Sequence, residues 1–252
     1  MAANDPYTAL EAALGDIAAI GNSLGDASTN IRVTGDDPKF LSLALFWRAC
    51  NHFQAFTMLW KAKLYIDAEI IVRSSIETAI CLANLNARRM DFMNDLIADL
   101  SHTMGGQMKM LRRGQFDFTD EVAAQWAEEL ASKGARMDLE TLAKGGHVDN
   151  LYAFHRLLSA FAVHITGMSV GRHCPFGDDD DGWSKTLEAT KEADRRRSVL
   201  WMLTAMTATL LAHAEIIDDK VHMDRMTALL EKLKPVIEAF ADGQSPKAGG
   251  GL

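Results

Sequence analysis

Glu69, Arg73 and Glu77 stand at i, i+4 and i+8 in the stretch DAEIIVRSSIETAICL, with Ser74 beside the arginine. On a helix they stack along one face, in the company of Ile66, Ile70 and Ile80. An arginine between two carboxylates can tie helices together as an ion-pair network, or it can hold a polar ligand beside groups that exchange protons. Burying those charges is costly unless each is paired, so Arg73 and Glu77 are predicted to be buried and ion-paired. A sealed cluster would be structural; one reached by a pocket would be functional.

A second set interrupts the apolar stretch LYAFHRLLSAFAVH. Tyr152, His155 and Ser159 share one stripe of a helix, whereas His164 points about 140° away from Ser159 on regular helical geometry. A histidine in such a helix is ordinarily a hydrogen-bonded core residue, and both His155 and His164 are read that way first. The candidate polar cluster is therefore Glu69, Arg73, Ser74, Glu77, Ser159 and His164, with no residue assigned a catalytic role and no metal or cofactor expected.

The elements that must carry these residues are helical. Between Pro38 and Pro175 the chain has no proline and is rich in Ala, Leu, Met, Glu and Arg. Asp5-Pro6 and Asp37-Pro38 read as N-cap and first-turn pairs, opening helices over about 6 to 24 and 38 to 62. A third helix, about 66 to 88, is apolar nearly all round and belongs at the centre of a bundle. Further helices are predicted over about 90 to 112, after Thr119, over 151 to 165, from 184 to about 218, and from about 220 with a bend or restart at Pro235. Residues 167 to 183 carry no helical signal. The fold class is all-α, a single bundle of about seven or eight helices, with a helical domain over 1–242 and a glycine-rich tail over 243–252.

Composition narrows the functions. The chain has 252 residues, 48% hydrophobic and 24% charged, as an ordinary globular protein has. Its formal net charge of −8 disfavours nucleic acid and anionic lipid. Cys50, Cys81 and Cys174 are an odd number without paired spacing, which argues against disulfides or a cysteine zinc site and for a reducing cytoplasm. The N-terminus lacks the basic and apolar regions of a secretory signal. The stretch 198–212 is uncharged and follows Arg195, Arg196 and Arg197. It is too short to span a bilayer and is expected to be a core helix. GDDDDGWSKTLE, residues 177–188, fits a calcium loop except at Gly177, where an acid is required, and reads as a solvated acidic loop.

The stretch DAEIIVRSSIETAICL resembles the "A-x-x-x-x-R-S-x-x-E" signature of a bacterial family described as domain of unknown function 5677, through Arg73, Ser74 and Glu77. LYAFHRLLSAFAVH resembles its downstream Ser-then-His segment, through Ser159 and His164, over about residues 40–170 in all. There the histidine follows the serine by four; here Val163 takes that place and His164 comes one later. The resemblance implies a helical fold in which the two segments face each other, and it brings no established activity.

Three functional classes remain. The first is a non-catalytic or small-ligand-binding interaction module, whose partners would be a small polar ligand and a second copy of the chain. The second is a ribonuclease or toxin-type enzyme similar in architecture to HEPN domains, whose pattern is Arg, four to six residues, then His; Arg48 with His52 and Arg156 with His164 miss that spacing. The third is a metal-dependent hydrolase using Glu69, Glu77 and His164, without the Glu-x-x-His pairs of helical di-metal proteins.

Overall fold

A computed structural model describes residues 6–113, 134–172 and 191–243. Among them every regular element is helical. These are α1 (Pro6–Ser28), α2 (Pro38–Lys61), α3 (Tyr65–Arg88), α4 (Met90–Arg113), α5 (Leu139–Gly145), α6 (Asp149–Leu158), a π turn (Ser159–Val163), α7 (Gly167–Gly171), α8 (Glu192–Ile216) and α9 (Lys220–Gly243).

Local chemistry sets the boundaries. Asp37 caps α2, its carboxylate accepting from the Lys39 amide at 2.7 Å with Pro38 in the first turn. Four junctions turn on a non-glycine residue with positive φ: Lys63 between α2 and α3, Arg89 between α3 and α4, His147 between α5 and α6, and Asp218 between α8 and α9. Connections this short make consecutive helices neighbours.

As its all-round apolar sequence implies, α3 lies at the centre, against α2, α4, α5, α6, the π turn and α8. Val72, Ile76, Ala79 and Ile80 of α3 are fully buried, as are Phe46 and Phe56 of α2. The second core helix is α8, which packs on α1, α2, α3, α6 and α9. It is long and apolar enough to cross a membrane by length and composition, but 72% of its apolar window is buried inside the bundle. His213 of α8 is completely buried, between Ser28 of α1 and Ser42 of α2, and stacks on Phe46 at 4.5 Å.

Three boundaries differ from the sequence reading. The helix expected to reach Ile165 stops being α-helical at Leu158 and widens into the π turn, where the His164 amide donates to the Ser159 carbonyl at 3.2 Å. Within 167–183, a short helix, α7, follows a capping box in which Thr166 and Ser169 exchange side-chain to backbone bonds. Serine rather than Glu or Gln stands at the third position, which hid that signal. Last, of the bend or restart expected at Pro235, the restart does not occur, and α9 runs through the proline as one helix. Glu231 and Pro235 are both exposed, so water can serve the carbonyl that the proline leaves free. The helix expected after Thr119 and the acidic loop 177–188 lie outside the described residues, as do Cys174 and 184–190.

Candidate functional site

The three charges of α3 divide between two environments. Glu69 is sealed: its carboxylate takes both terminal amines of Arg172 at the end of α7, Nη2 at 2.9 Å, and sits 2.9 Å from Ser198 Oγ of α8. The Glu69 and Arg172 side chains are 4% and 14% exposed, so this pair pins α7 and α8 to the central helix. Of the two possibilities, pairing within α3 or with another helix, Glu69 takes the second and does not pair with Arg73. Arg172 stands in a segment without helical signal, 103 residues away.

One helical turn on, the environment opens. Arg73 donates through Nε to Ser159 Oγ at 2.8 Å, and its Nη2 lies 3.1 Å from Glu77 Oε1. Ser159 in turn donates to the His155 carbonyl. The same Glu77 oxygen accepts from His155 Nε2 at 2.8 Å, which leaves His155 Nδ1 buried without a partner. Both contacts fall on Oε1, and Glu77 Oε2 has no protein partner among the described residues. The Arg73 and Glu77 side chains are 22% and 32% exposed, so the predicted ion pair forms but is half-buried, not sealed. Burial pushes the Glu77 carboxyl up, but the His155 hydrogen bond and the charges of Arg73, His155 and Arg48 outweigh it and hold the group below its ordinary value.

His164 does not join the cluster, contrary to the sequence reading. The chain leaves the π turn extended at His164, and the ring is exposed. His155 is the histidine that meets α3. Ser74 is also apart, turned back onto the Ile70 carbonyl of its own helix at 3.3 Å.

Glu77 opens onto a trough of about 430 Å³. Its floor is Glu77, Thr78 and Cys81 of α3; Leu45 and Arg48 of α2 form one wall, Leu96 and Asp99 of α4 the other, and Met137, Leu139 and Leu142 close one end. Arg48 donates Nε to Thr78 Oγ1 at 3.2 Å, and its terminal amines have no partner among the described residues. Asp99 accepts the Met137 amide through Oδ1 at 2.8 Å. His52, one turn beyond Arg48, has an unpartnered buried Nδ1, and burial with the Arg48 charge lowers its affinity for a proton although Glu77 acts the other way. The Cys81 thiol is pushed up to about 11, by burial first and then by Glu77, so it is no thiolate nucleophile at neutral pH.

Ser23, His222 and Asp219 also form a chain with the pattern of a hydrolytic triad. Ser23 Oγ lies 2.9 Å from His222 Nε2, and His222 Nδ1 lies 2.7 Å from Asp219 Oδ2. The setting is that of a helix cap: Asp219 precedes α9 and accepts the His222 amide, while the groove alongside is lined by Arg225 and Lys232 but by neither Ser23 nor His222. It ties α9 to α1.

A helical bundle whose central helix carries a carboxylate–guanidinium–imidazole cluster at the edge of a mixed-charge trough is the class that fold and site define. The chain matches the description "Family of unknown function (DUF5677)" over residues 39–182, more than half its length, and it belongs to that family. It matches no curated protein and no solved structure. The two segments that carry the family pattern face each other, through Arg73 with Ser159 and Glu77 with His155.

Proposed function

We propose that the protein is a non-catalytic binding module that holds a small polar ligand in the trough beside Glu77. The observation that carries this reading is the division of the cluster: the Glu69 half is sealed and structural, while the Glu77 half is reached by a cavity where Arg48, Glu77 and Asp99 keep hydrogen-bonding positions that no described residue fills. Binding is favoured over catalysis because the titratable groups are ill-placed for proton transfer. Glu77 is held ionised, Cys81 is held protonated, and His155 spends Nε2 on Glu77 while Nδ1 is buried. The hydrolase reading would need Glu69, Glu77 and His164 to converge. Glu69 is committed to Arg172, and His164 is exposed elsewhere.

The test is a thermal-shift screen of small polar metabolites against the wild type and Leu45→Trp, which fills the trough from a half-buried wall position. Compounds that raise the wild-type melting temperature and lose that effect in Leu45→Trp are expected. A screen with no stabilising compound, or with compounds that stabilise both proteins equally, defeats the proposal.

A further inference from the structure

Building on the trough as a ligand site, we infer that its ligand is a small zwitterion of the ω-amino acid type, with a carboxylate and an ammonium at opposite ends of a short hydrocarbon. The argument rests on where charged groups keep unfilled hydrogen-bonding positions. Arg48 projects from the α2 wall with two terminal amines unpaired among the described residues, and a planar guanidinium suits a carboxylate. On the α4 wall, Asp99 uses one oxygen for the Met137 amide, and its Oδ2 has no partner among the described residues. Arg48 and Asp99 form no ion pair, although both line one cavity and both act on the Cys81 thiol in its floor.

The walls explain why they stay apart. Both α2 and α4 pack on α3 and make no comparable contact with each other, so the floor of α3 lies between them. Opposite charges held on facing walls, with Leu45, Leu96, Cys81 and Leu142 around the gap, would attract strongly through that apolar setting. A ligand with both charges satisfies the two walls together, whereas an anion leaves Asp99 unanswered and a cation leaves Arg48 unanswered. Glu77, in the floor between them, has Oε1 occupied by Arg73 and His155 and keeps Oε2 without a partner among the described residues, so it can accept one further ligand hydrogen. Leu45, Leu96 and Leu142 would cover the methylenes between.

The experiment is calorimetric titration of the full chain with 4-aminobutyrate, 5-aminopentanoate and 6-aminohexanoate. Each is compared with the carboxylate and the amine of the same carbon count. At least one zwitterion should bind about tenfold or more tighter than both its singly charged analogues, since each lost pairing strands a wall charge. Arg48→Met should weaken that zwitterion and its carboxylate but not its amine, and Asp99→Asn the zwitterion and the amine but not the carboxylate. The amide introduced by Asp99→Asn keeps an acceptor for the Met137 N–H, and Arg48→Lys should restore part of the affinity, so lost binding is separable from lost folding. A carboxylate that binds as tightly as the zwitterion, with Asp99→Asn silent, makes this an anion site and overturns the inference; a tight amine with Arg48→Met silent does the same. If no zwitterion binds while the metabolite screen yields a ligand sensitive to Leu45→Trp, the ligand class is wrong and the binding reading stands. If the screen yields none either, both fall.

Discussion

Lowering the pH should destabilise this protein through one residue of the core. Ser28 Oγ donates to the Leu24 carbonyl at 2.7 Å, so toward His213 Nε2, 3.0 Å away, it can only accept. Nε2 therefore carries the proton, and Nδ1 accepts from Ser42 Oγ at 2.6 Å. Burial pushes the His213 imidazole down to about 4 from its usual 6.5, with the Asp219 charge opposing weakly. A depressed histidine costs nothing above pH 6.5. Below it the unfolded chain takes up a proton that the fold refuses, and stability falls until pH reaches about 4. That gap corresponds to about 3 kcal/mol in full, of which about 2 kcal/mol is lost between pH 7 and pH 5. Urea melts at those two pH values, on the wild type and His213→Gln, isolate the contribution because the other histidines are common to both proteins. The deficit of His213→Gln at pH 7 should shrink by about 2 kcal/mol at pH 5. Equal deficits at both pH values, or an NMR titration of the His213 ring with a midpoint above 6, would refute the assignment.

The two halves of the α3 cluster should respond differently to loss of their arginines. Arg172→Met strands the sealed Glu69 carboxylate and should cost about 3 to 5 kcal/mol in urea melts, much of it recovered in the Arg172→Met, Glu69→Leu double variant. Arg73→Met, at a half-buried pair, should cost no more than about 1 kcal/mol. Equal losses at the two sites would count against the division. His164→Ala should leave urea-melt stability within about 0.5 kcal/mol of wild type, since the ring is exposed. A Cβ on Gly146 would lie 2.9 Å from the Asn84 amide nitrogen and 3.0 Å from the Ala83 carbonyl carbon, forcing the end of α5 away from α3. Gly146→Ala should therefore cost about 1 to 3 kcal/mol, and a neutral melt would show that α5 is free to move.

What the sequence disclosed about this molecule tracks the range of the interactions involved. Asp37-Pro38 and the all-round apolar pattern of 66–88 are local signals, and they placed α2 and the central helix within a few residues of where they lie. The Arg73–Glu77 pair, one helical turn apart, was legible for the same reason. Arg172, the partner of Glu69 103 residues away, was not, because no residue signal brings its segment to α3; for Glu77 the resemblance implied the facing segment, but not that His155, 78 residues away, is the residue that meets it. His155 stood in the apolar stripe as a candidate core histidine, but the family pattern drew attention to His164. The π turn defeats that reading: it widens the backbone after Ser159 and ends the helix before His164 can turn inward. Arg48 and Asp99 carried no motif at all; only packing α2 and α4 on either side of one helix gives them a common cavity.

The order of the helices along the chain bears on how α8 comes to be folded. Among the described helices it is the one a membrane-insertion machinery would find most attractive, and it is synthesised after α1 to α7. By the time Glu192–Ile216 is made, α1, α2, α3 and α6 have been made, and of the described helices that pack on it only α9 follows. An apolar helix that appeared first would have to wait exposed for its neighbours; this one emerges onto surfaces already available to receive it. By the same logic, a chain cut back to begin at α8 would retain the apolar helix and α9 while losing α1, α2, α3 and α6. Its fate would then be aggregation or a lipid bilayer, decided by the absence of neighbours rather than by any change in α8 itself.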